Sequence, residues 1–292
     1  MMSGNTGSTP VRLRGAARAF LALCGMLILA SARPATAAEL DYPIAVAADA
    51  EGRVYLADRY LPGIWTVEGE SLKLFFEGSK KFRTPLNAIR TLAFDREGRL
   101  LAGDSSTREV YRFDAQGQPQ PLTQGGIGIP MGIAVNRAGE IFVSDLEVHY
   151  LWKIPAEGGP PQKFAEVAAP RGLTIDADDR LWVVSHGQNQ VVRVSPAGVV
   201  EPFVKGRPFK FPHGLVLGPD GTSLVVDGYA KAVWKVDAQG AVSEWVHGQP
   251  LANPVGLTWS KDQLVVADSQ AKGLWRIDPA GKVTPLVIKA PE

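Results

Sequence analysis

The stretch PMGIAVNRAGEIFVSD, residues 130–145, decides the fold, because variants of it recur along the chain. It contains two short apolar runs separated by a polar turn, and it begins with a proline and ends with an aspartate. Such a pattern is typical of two β-strands joined by a hairpin turn. Matching stretches begin at six positions, spaced 46, 41, 40, 42 and 42 residues apart: Pro43, Ile89, Pro130, Pro170, Pro212 and Pro254.

Each unit continues in the same way beyond this stretch. Seven residues after the terminal Asp or Ser comes the middle of a third apolar segment, and a Gly/Pro/Asp-rich turn and a fourth apolar segment follow. Four short strands in a repeat of roughly 40–45 residues are typical of one blade of a β-propeller. We therefore predict an all-β fold, a six-bladed β-propeller with four antiparallel strands per blade. Its domain spans 39–292, with blades at about 43–85, 86–129, 130–169, 170–211, 212–253 and 254–292.

The first 38 residues have the pattern of a secretory signal peptide. Arginines precede an apolar run of twelve residues at 19–30, and the small-residue stretch ATAA occupies 35–38. The run is too short to span a bilayer, so we expect cleavage rather than an uncleaved anchor, which is the alternative. We predict a periplasmic or secreted protein with no membrane insertion after cleavage of the signal peptide.

Charge and cysteine content narrow the choice of partners for the mature segment. Residues 39–292 carry 27 basic and 30 acidic residues, a net charge of −3, and this balance argues against nucleic acid as a partner. The single cysteine, Cys24, lies within the signal peptide, so neither disulfides nor thiol chemistry are expected in the mature protein.

The pattern of Pro130 to Asp145 resembles the repeats of NHL-repeat propellers and of the gluconolactonase and luciferin-regenerating-enzyme-like superfamily. The resemblance covers about residues 40–290. It implies the propeller fold but not one activity, because this fold hosts lyases, lactonases, sensors and binding modules. Gluconolactonase-like enzymes hold a divalent cation in the channel. The resemblance places Asp41 at the position of a glutamate ligand, and Met131, Arg171 and His213 at positions where that family uses Asn and Asp.

Ligand sites in a propeller favour the channel mouth, where the first strands begin and several loops converge. Residues shared by most blades there, such as the Asp that ends the second strand, are expected to be structural. The residue after the register position differs between blades. It is Ile44, Arg90, Met131, Arg171, His213 or Val255.

Arginines at this position need water, acids or an anion. One explanation is that they pair with the shared aspartates around a wet channel. The other is that they bind an acidic group. Two basic segments, 78–85 and 204–212, would add to a positive mouth. We predict a small anionic ligand or a protein partner, bound by Arg59, Arg90, Arg171, His186 and His213.

The main alternative is a gluconolactonase-like hydrolase or a lyase that acts on a lactone, ester or sugar acid. All four histidines fall in segments near the mouth, and a histidine there could act as general base or bind a metal. In that case His213 and His186 would be catalytic, and Asp41, His149 and His213 would hold a divalent metal. The binding hypothesis needs no cofactor. A scaffold that uses the outer blade edges is a third possibility.

Overall fold

The computed structural model describes residues 39–288, in which six four-stranded antiparallel sheets follow one another along the chain. The predicted signal peptide, residues 1–38, lies outside the described residues. Within 39–288, no helix is long and apolar enough to cross a membrane.

Blades 1 to 3 contain strands β1 to β12, which pair in chain order within each blade. Blade 1 is β1 (Pro43–Ala48), β2 (Val54–Asp58), β3 (Gly63–Glu68) and β4 (Ser71–Glu77). Blade 2 is β5 (Ile89–Phe94), β6 (Leu100–Asp104), β7 (Glu109–Phe113) and β8 (Pro119–Pro121). Blade 3 is β9 (Pro130–Val135), β10 (Ile141–Asp145), β11 (Tyr150–Ile154) and β12 (Gln162–Glu166).

Blades 4 to 6 repeat the arrangement with strands β13 to β24. Blade 4 is β13 (Pro170–Ile175), β14 (Leu181–Ser185), β15 (Val191–Val194) and β16 (Val200–Val204). Blade 5 is β17 (Pro212–Leu217), β18 (Ser223–Asp227), β19 (Ala232–Val236) and β20 (Val242–His247). Blade 6 is β21 (Pro254–Ser260), β22 (Gln263–Asp268), β23 (Gly273–Ile277) and β24 (Val283–Ile288). The prediction of six four-stranded antiparallel blades is confirmed.

Burial follows the position of each strand within its blade. The second strands β2, β6, β10, β14 and β18 are buried along their whole length, because both of their faces are covered by neighbouring blades. The fourth strands β4 and β16 lie at the outer edge and are largely exposed. One apolar cluster fills each of the six gaps between blades. The aromatic residues of the third strands belong to these clusters, for example Tyr111 and Trp275.

The ring closes by packing of blade 6 on blade 1, without exchange of a strand among the described residues. Leu40, just before β1, is 1% exposed and joins Val46 of blade 1 and Leu274 of blade 6 in one cluster. On the opposite rim of the channel, the Ser260 hydroxyl donates a hydrogen bond to the Gly52 carbonyl at 2.7 Å. Closure therefore depends on side-chain burial between the two ends of the chain rather than on a shared sheet.

The aspartates that end the second strands hold the mouth loops in place. Asp145 accepts hydrogen bonds from the backbone N–H groups of Gly128, Ile129 and Glu147, and from the indole of Trp152. Four other blades repeat this arrangement with Asp58, Asp104, Asp227 and Asp268. In blade 4, Ser185 takes the position, donating to the Ala168 carbonyl and accepting from the Gly187 N–H. The ring of aspartates is structural, as expected.

Candidate functional site

The first strands surround a central channel with a free volume of about 240 Å³. All six variable residues after the register position line it, and in each blade the pairing register shifts at that residue. Such a bulge re-aims a side chain that regular pleating would direct elsewhere. The local backbone thus turns the variable residues toward the channel.

Glycines after these residues let the first strands approach one another. A Cβ at Gly172 would lie 2.5 Å from the Gly214 Cα and 2.9 Å from the His213 carbonyl oxygen, which no side chain tolerates. Gly132 and Gly214 are similarly crowded, by Leu173 and Leu257. The channel is therefore narrow, and a charge inside it is poorly hydrated.

Arg90 and Arg171 place two guanidinium groups in this channel. Arg90 Nε donates to the Ser105 hydroxyl at 3.1 Å, whereas the buried Arg171 Nε has no hydrogen-bond partner in the part of the chain that the structure describes. Desolvation lowers the pKa of both arginines. The charge of Arg59 lowers the pKa of Arg90 further, and Asp104 acts in the opposite direction.

Direct ion pairs between these arginines and the shared aspartates are not found in residues 39–288, although the charge of Asp104 acts on Arg90. Within residues 39–288, neither Arg59, Arg90 nor Arg171 forms an ion pair with a carboxylate. The physical reason is that the oxygens of the aspartates are taken by backbone N–H groups. Arg171 instead packs on an aromatic ring, with its Cζ 4.8 Å from the centre of Phe211.

His213 lies in the channel beside Arg171. Desolvation, with the charge of Arg171 and the presence of His186, lowers the pKa of His213 to about 3, so the imidazole is neutral at physiological pH. Its neighbour at the start of blade 6 is Asn253, which also lines the channel. The buried Oδ1 of Asn253 has no hydrogen-bond partner among the described residues. A Cβ on Gly228 would lie 2.2 Å from Asn253 Oδ1 and 3.1 Å from His213 Nε2, so both groups converge on this glycine.

The other histidines do not line the channel. His186 Nε2 donates to the Pro212 carbonyl at 2.7 Å, and its ring packs edge-on against Phe211 at 4.5 Å. His186 therefore supports the start of β17 from outside the channel. His149 and His247 are exposed, the first in a mouth-side loop and the second at the end of β20.

The residues proposed for a divalent metal do not come together. Asp41 pairs with Lys272 Nζ at 2.5 Å at the rim, while His149 belongs to blade 3 and His213 to blade 5. From residue 39 to 288, no group of three or more His, Cys, Asp or Glu side chains could hold a metal ion. The channel offers arginine, methionine and a neutral histidine where a hard cation needs oxygen ligands, so the donor set does not fit the cation that the gluconolactonase resemblance implies.

Aromatic residues at the mouth were missed from the sequence. Arg59 lies with its Cζ 5.9 Å from the ring centre of Tyr42 and 5.6 Å from that of Tyr60. Phe211 stacks on Tyr229 with ring centres 4.5 Å apart. A comparison of the residues that precede the six register positions would have shown this signal, because this residue is aromatic only in blades 1 and 5.

Solved structures with the same architecture include a lyase and a lactonase. Virginiamycin B lyase from Staphylococcus aureus superposes with a TM-score of 0.67 at 17% identity, covering 87% of this chain and 88% of the lyase chain. A gluconolactonase from Xanthomonas campestris superposes with a TM-score of 0.68 at 18% identity, covering 82% and 86% of the two chains. At such identities these likenesses show the fold.

Comparison of the sequence identifies the family of the chain. The human E3 ubiquitin-protein ligase TRIM32 is 28% identical over 127 residues, 37% of this chain, and the match spans only 19% of that protein. The model of the virginiamycin B lyase family matches residues 82–292, which is more than half of the chain. The match includes the channel residues of blades 2 to 6, Arg90, Arg171 and His213 among them. The chain belongs to the virginiamycin B lyase family.

Proposed function

We propose that the channel mouth binds a small anionic ligand, with Arg90 and Arg171 contacting the anion. The observation that carries the proposal is that two guanidinium groups lie in a narrow channel without a carboxylate partner among residues 39–288. Burying an unpaired charge costs free energy, which an anion would recover through charge-assisted hydrogen bonds. An acidic side chain of a protein partner would supply the same chemistry.

The surroundings of the two arginines favour an anion over a cation or a neutral sugar. Arg59 lines the same channel. Besides desolvation, the charge of Arg59 lowers the pKa of Arg90, and the charge of Arg90 lowers the pKa of Arg171. His213 adds a neutral ring that can exchange a hydrogen bond with the ligand without repelling it or adding charge. His186 contributes indirectly, by holding the backbone at Pro212.

The test uses hexanoate and its uncharged analogue hexanamide as probes of the mature chain, residues 39–292. We expect hexanoate to bind and hexanamide to bind at least tenfold more weakly, in ligand-observed NMR titrations. The double variant Arg90→Ala/Arg171→Ala should lose hexanoate binding. Arg276→Ala is the matched control, because Arg276 is exposed on β23 outside the channel. Equal hexanoate affinity in the double variant and the wild type would refute the site.

A second candidate is a lyase or hydrolase reaction, which membership of the virginiamycin B lyase family favours. In lactone hydrolysis, water adds to the carbonyl carbon, the ring C–O bond breaks and a hydroxy acid forms. In an ester elimination, a base removes a proton from carbon, the C–O bond breaks, and an alkene and a carboxylate form. Each reaction yields a carboxylate that Arg171 could hold, and His213 would act as the base.

The pKa of His213, lowered to about 3, makes it a weak base near neutral pH, which is why binding is preferred here over catalysis. Turnover of glucono-lactone by the wild type, lost in His213→Ala and retained in His149→Ala, would establish the second candidate instead. We further propose export of the protein, on the pattern of residues 1–38. Detection of mature protein beginning near Glu39 outside the cytoplasm would test it.

A further inference from the structure

Two blades carry the same pair of aromatic residues at the mouth. The first member precedes the register proline and the second lies two residues after the aspartate that ends the second strand. The pairs are Tyr42 with Tyr60 in blade 1, and Phe211 with Tyr229 in blade 5. No other blade has an aromatic residue at either position. Because the pair occurs in only two of the six blades, packing that is common to all blades does not explain it, and a functional role shared by the two pairs does.

The structural aspartates of the two blades bind the backbone of three of these four aromatic residues. Asp58 accepts hydrogen bonds from the backbone N–H groups of both Tyr42 and Tyr60, at 2.7 and 2.8 Å. Asp227 accepts from the N–H of Phe211 at 2.8 Å. The rings then meet edge-on in blade 1, with centres 5.8 Å apart, and stacked in blade 5. The backbone of Tyr42, Tyr60 and Phe211 is therefore fixed by hydrogen bonds, and Tyr229 is held by its stacking on Phe211.

Each pair leaves one ring open to solvent. Tyr60 is 55% exposed and Tyr229 is 65% exposed, although both belong to the channel face. Exposed aromatic rings whose partners are fixed offer flat apolar surface at little cost in conformational entropy. Blade 6 lies between the two pairs and has Asn253 and Gln270, neither of them aromatic, at the equivalent positions.

Each pair lies next to an arginine that forms no ion pair with a carboxylate of residues 39–288. Arg59 lies over both rings of the blade 1 pair, and Arg171 lies 4.8 Å from the centre of Phe211 in the blade 5 pair. Tyr229 is also close enough to Arg171 to influence the pKa of its guanidinium. An anion on either arginine would therefore have an aromatic surface directly beside it.

We infer that the mouth selects a carboxylate that carries an aromatic ring, with the carboxylate on the channel arginines and the ring against Tyr60 or Tyr229. This inference rests on the proposed anion binding and names its ligand class. Aromatic pairs contribute beyond the area they bury, so a phenyl group should bind roughly three- to tenfold more tightly than an alkyl chain of similar size.

The experiment compares 3-phenylpropionate, hexanoate and 3-phenylpropionamide by NMR titration of residues 39–292. We expect 3-phenylpropionate to bind roughly three- to tenfold more tightly than hexanoate. Its amide should bind at least tenfold more weakly, because it lacks the charge. Tyr60→Ala, Tyr229→Ala and the double variant should weaken the binding of 3-phenylpropionate more than that of hexanoate, so that the preference for the phenyl group falls.

Phe82→Ala is the matched control, because Phe82 is 71% exposed in the basic segment 78–85 but belongs to neither pair. Equal affinity of hexanoate and 3-phenylpropionate would overturn the inference and leave anion binding intact. A preference that survives loss of both tyrosines, or falls equally in Phe82→Ala, would also overturn it. Binding of neither acid would instead refute the proposed function. Because all three side chains are exposed, unchanged melting temperatures should show that each variant is folded.

Discussion

Arg171 lies against Phe211 in the channel, with its Cζ 4.8 Å from the ring centre, and its buried Nε has no hydrogen-bond partner among residues 39–288. The ring supplies a cation–π contact, which is weaker than an ion pair with a carboxylate. Arg171 is thus held in position but remains electrostatically unsatisfied. Such a residue is expected to lower the stability of the unliganded protein, because its charge is satisfied only when a ligand is bound.

We therefore predict that Arg171→Met stabilises the unliganded protein, by about 1–2 kcal/mol in urea unfolding, because it removes a desolvated and unpaired charge. The contrasting variant is Arg112→Met. Arg112 forms an ion pair at 3.0 Å with Asp95, whose side chain is 1% exposed, so its loss should destabilise the protein by about 2 kcal/mol. Destabilisation by Arg171→Met as large as by Arg112→Met would show that Arg171 is structural.

The pKa of His213 predicts acid sensitivity. The folded protein keeps this histidine neutral down to about pH 3, whereas the unfolded chain protonates it near pH 6.5. The unfolded state thus binds more protons between these values, and the free energy of unfolding should fall by about 1.4 kcal/mol per pH unit as pH drops below 6.5. Above 6.5 this contribution is fully present.

Urea unfolding of the wild type and of His213→Gln at pH 7.5, 5.5 and 4.5 measures this dependence. We expect the variant to lose less stability than the wild type on acidification, and the exposed His149→Gln to behave like the wild type. Parallel pH profiles for the wild type and His213→Gln would contradict a neutral buried imidazole. Arg171 and His186 are the charged or titratable neighbours that contribute to the shift.

The structural aspartates predict unequal costs in different blades. Asp145 accepts four hydrogen bonds, including those from the N–H groups of buried Gly128 and half-buried Ile129, so Asp145→Ala should cost about 3–5 kcal/mol in thermal or urea unfolding. Ser185 makes two such bonds with Ala168 and Gly187, and Ser185→Ala should cost about 1–2 kcal/mol. Similar losses of stability in Asp145→Ala and Ser185→Ala would show that these residues do not stabilise the protein through the number of their hydrogen bonds.

The glycines after the variable residues predict how closely the blades approach. Gly172→Ala places a Cβ 2.5 Å from the Gly214 Cα, where only backbone can move, and should cost about 3 kcal/mol. At the equivalent position in blade 6, a Cβ on Gly256 meets the Ile44 carbonyl oxygen at 3.0 Å. Gly256→Ala should therefore cost about 1 kcal/mol. Melting temperatures test whether Gly172→Ala is the more destabilising of the two variants. Equal melting temperatures would contradict the close approach of the first strands at Gly172.

Much of the fold was accessible from sequence because its signal is local. The hairpin in 130–145 needs only alternation and turn residues, and its recurrence specifies the number of blades. The position of Arg90, Arg171 and His213 in the channel followed from the same register. The bulge at each of these residues was not foreseen, although it turns them toward the channel.

Other features of the site were beyond the reach of a repeat pattern. Asp41 was considered as a metal ligand, yet it pairs with Lys272, which is 231 residues away in the chain. The stacking of Tyr229 on Phe211 and the convergence of Asn253 and His213 on Gly228 likewise join separate strands or blades. Such contacts depend on the paths of the loops. Because these paths differ between blades, a pattern that describes the repeated strands does not predict them.

The sequence by itself determined the architecture, because strand pairing within a blade and burial between blades depend on periodic apolar positions that the chain repeats six times. It also determined which residue types stand at the mouth. Only the tertiary structure decided which of those residues are satisfied: the aspartates are occupied by backbone N–H groups, and the arginines beside them have no carboxylate partner within residues 39–288. The physical reason is that a hydrogen bond depends on distances of a few tenths of an ångström between distant segments, whereas burial depends only on which face a residue occupies.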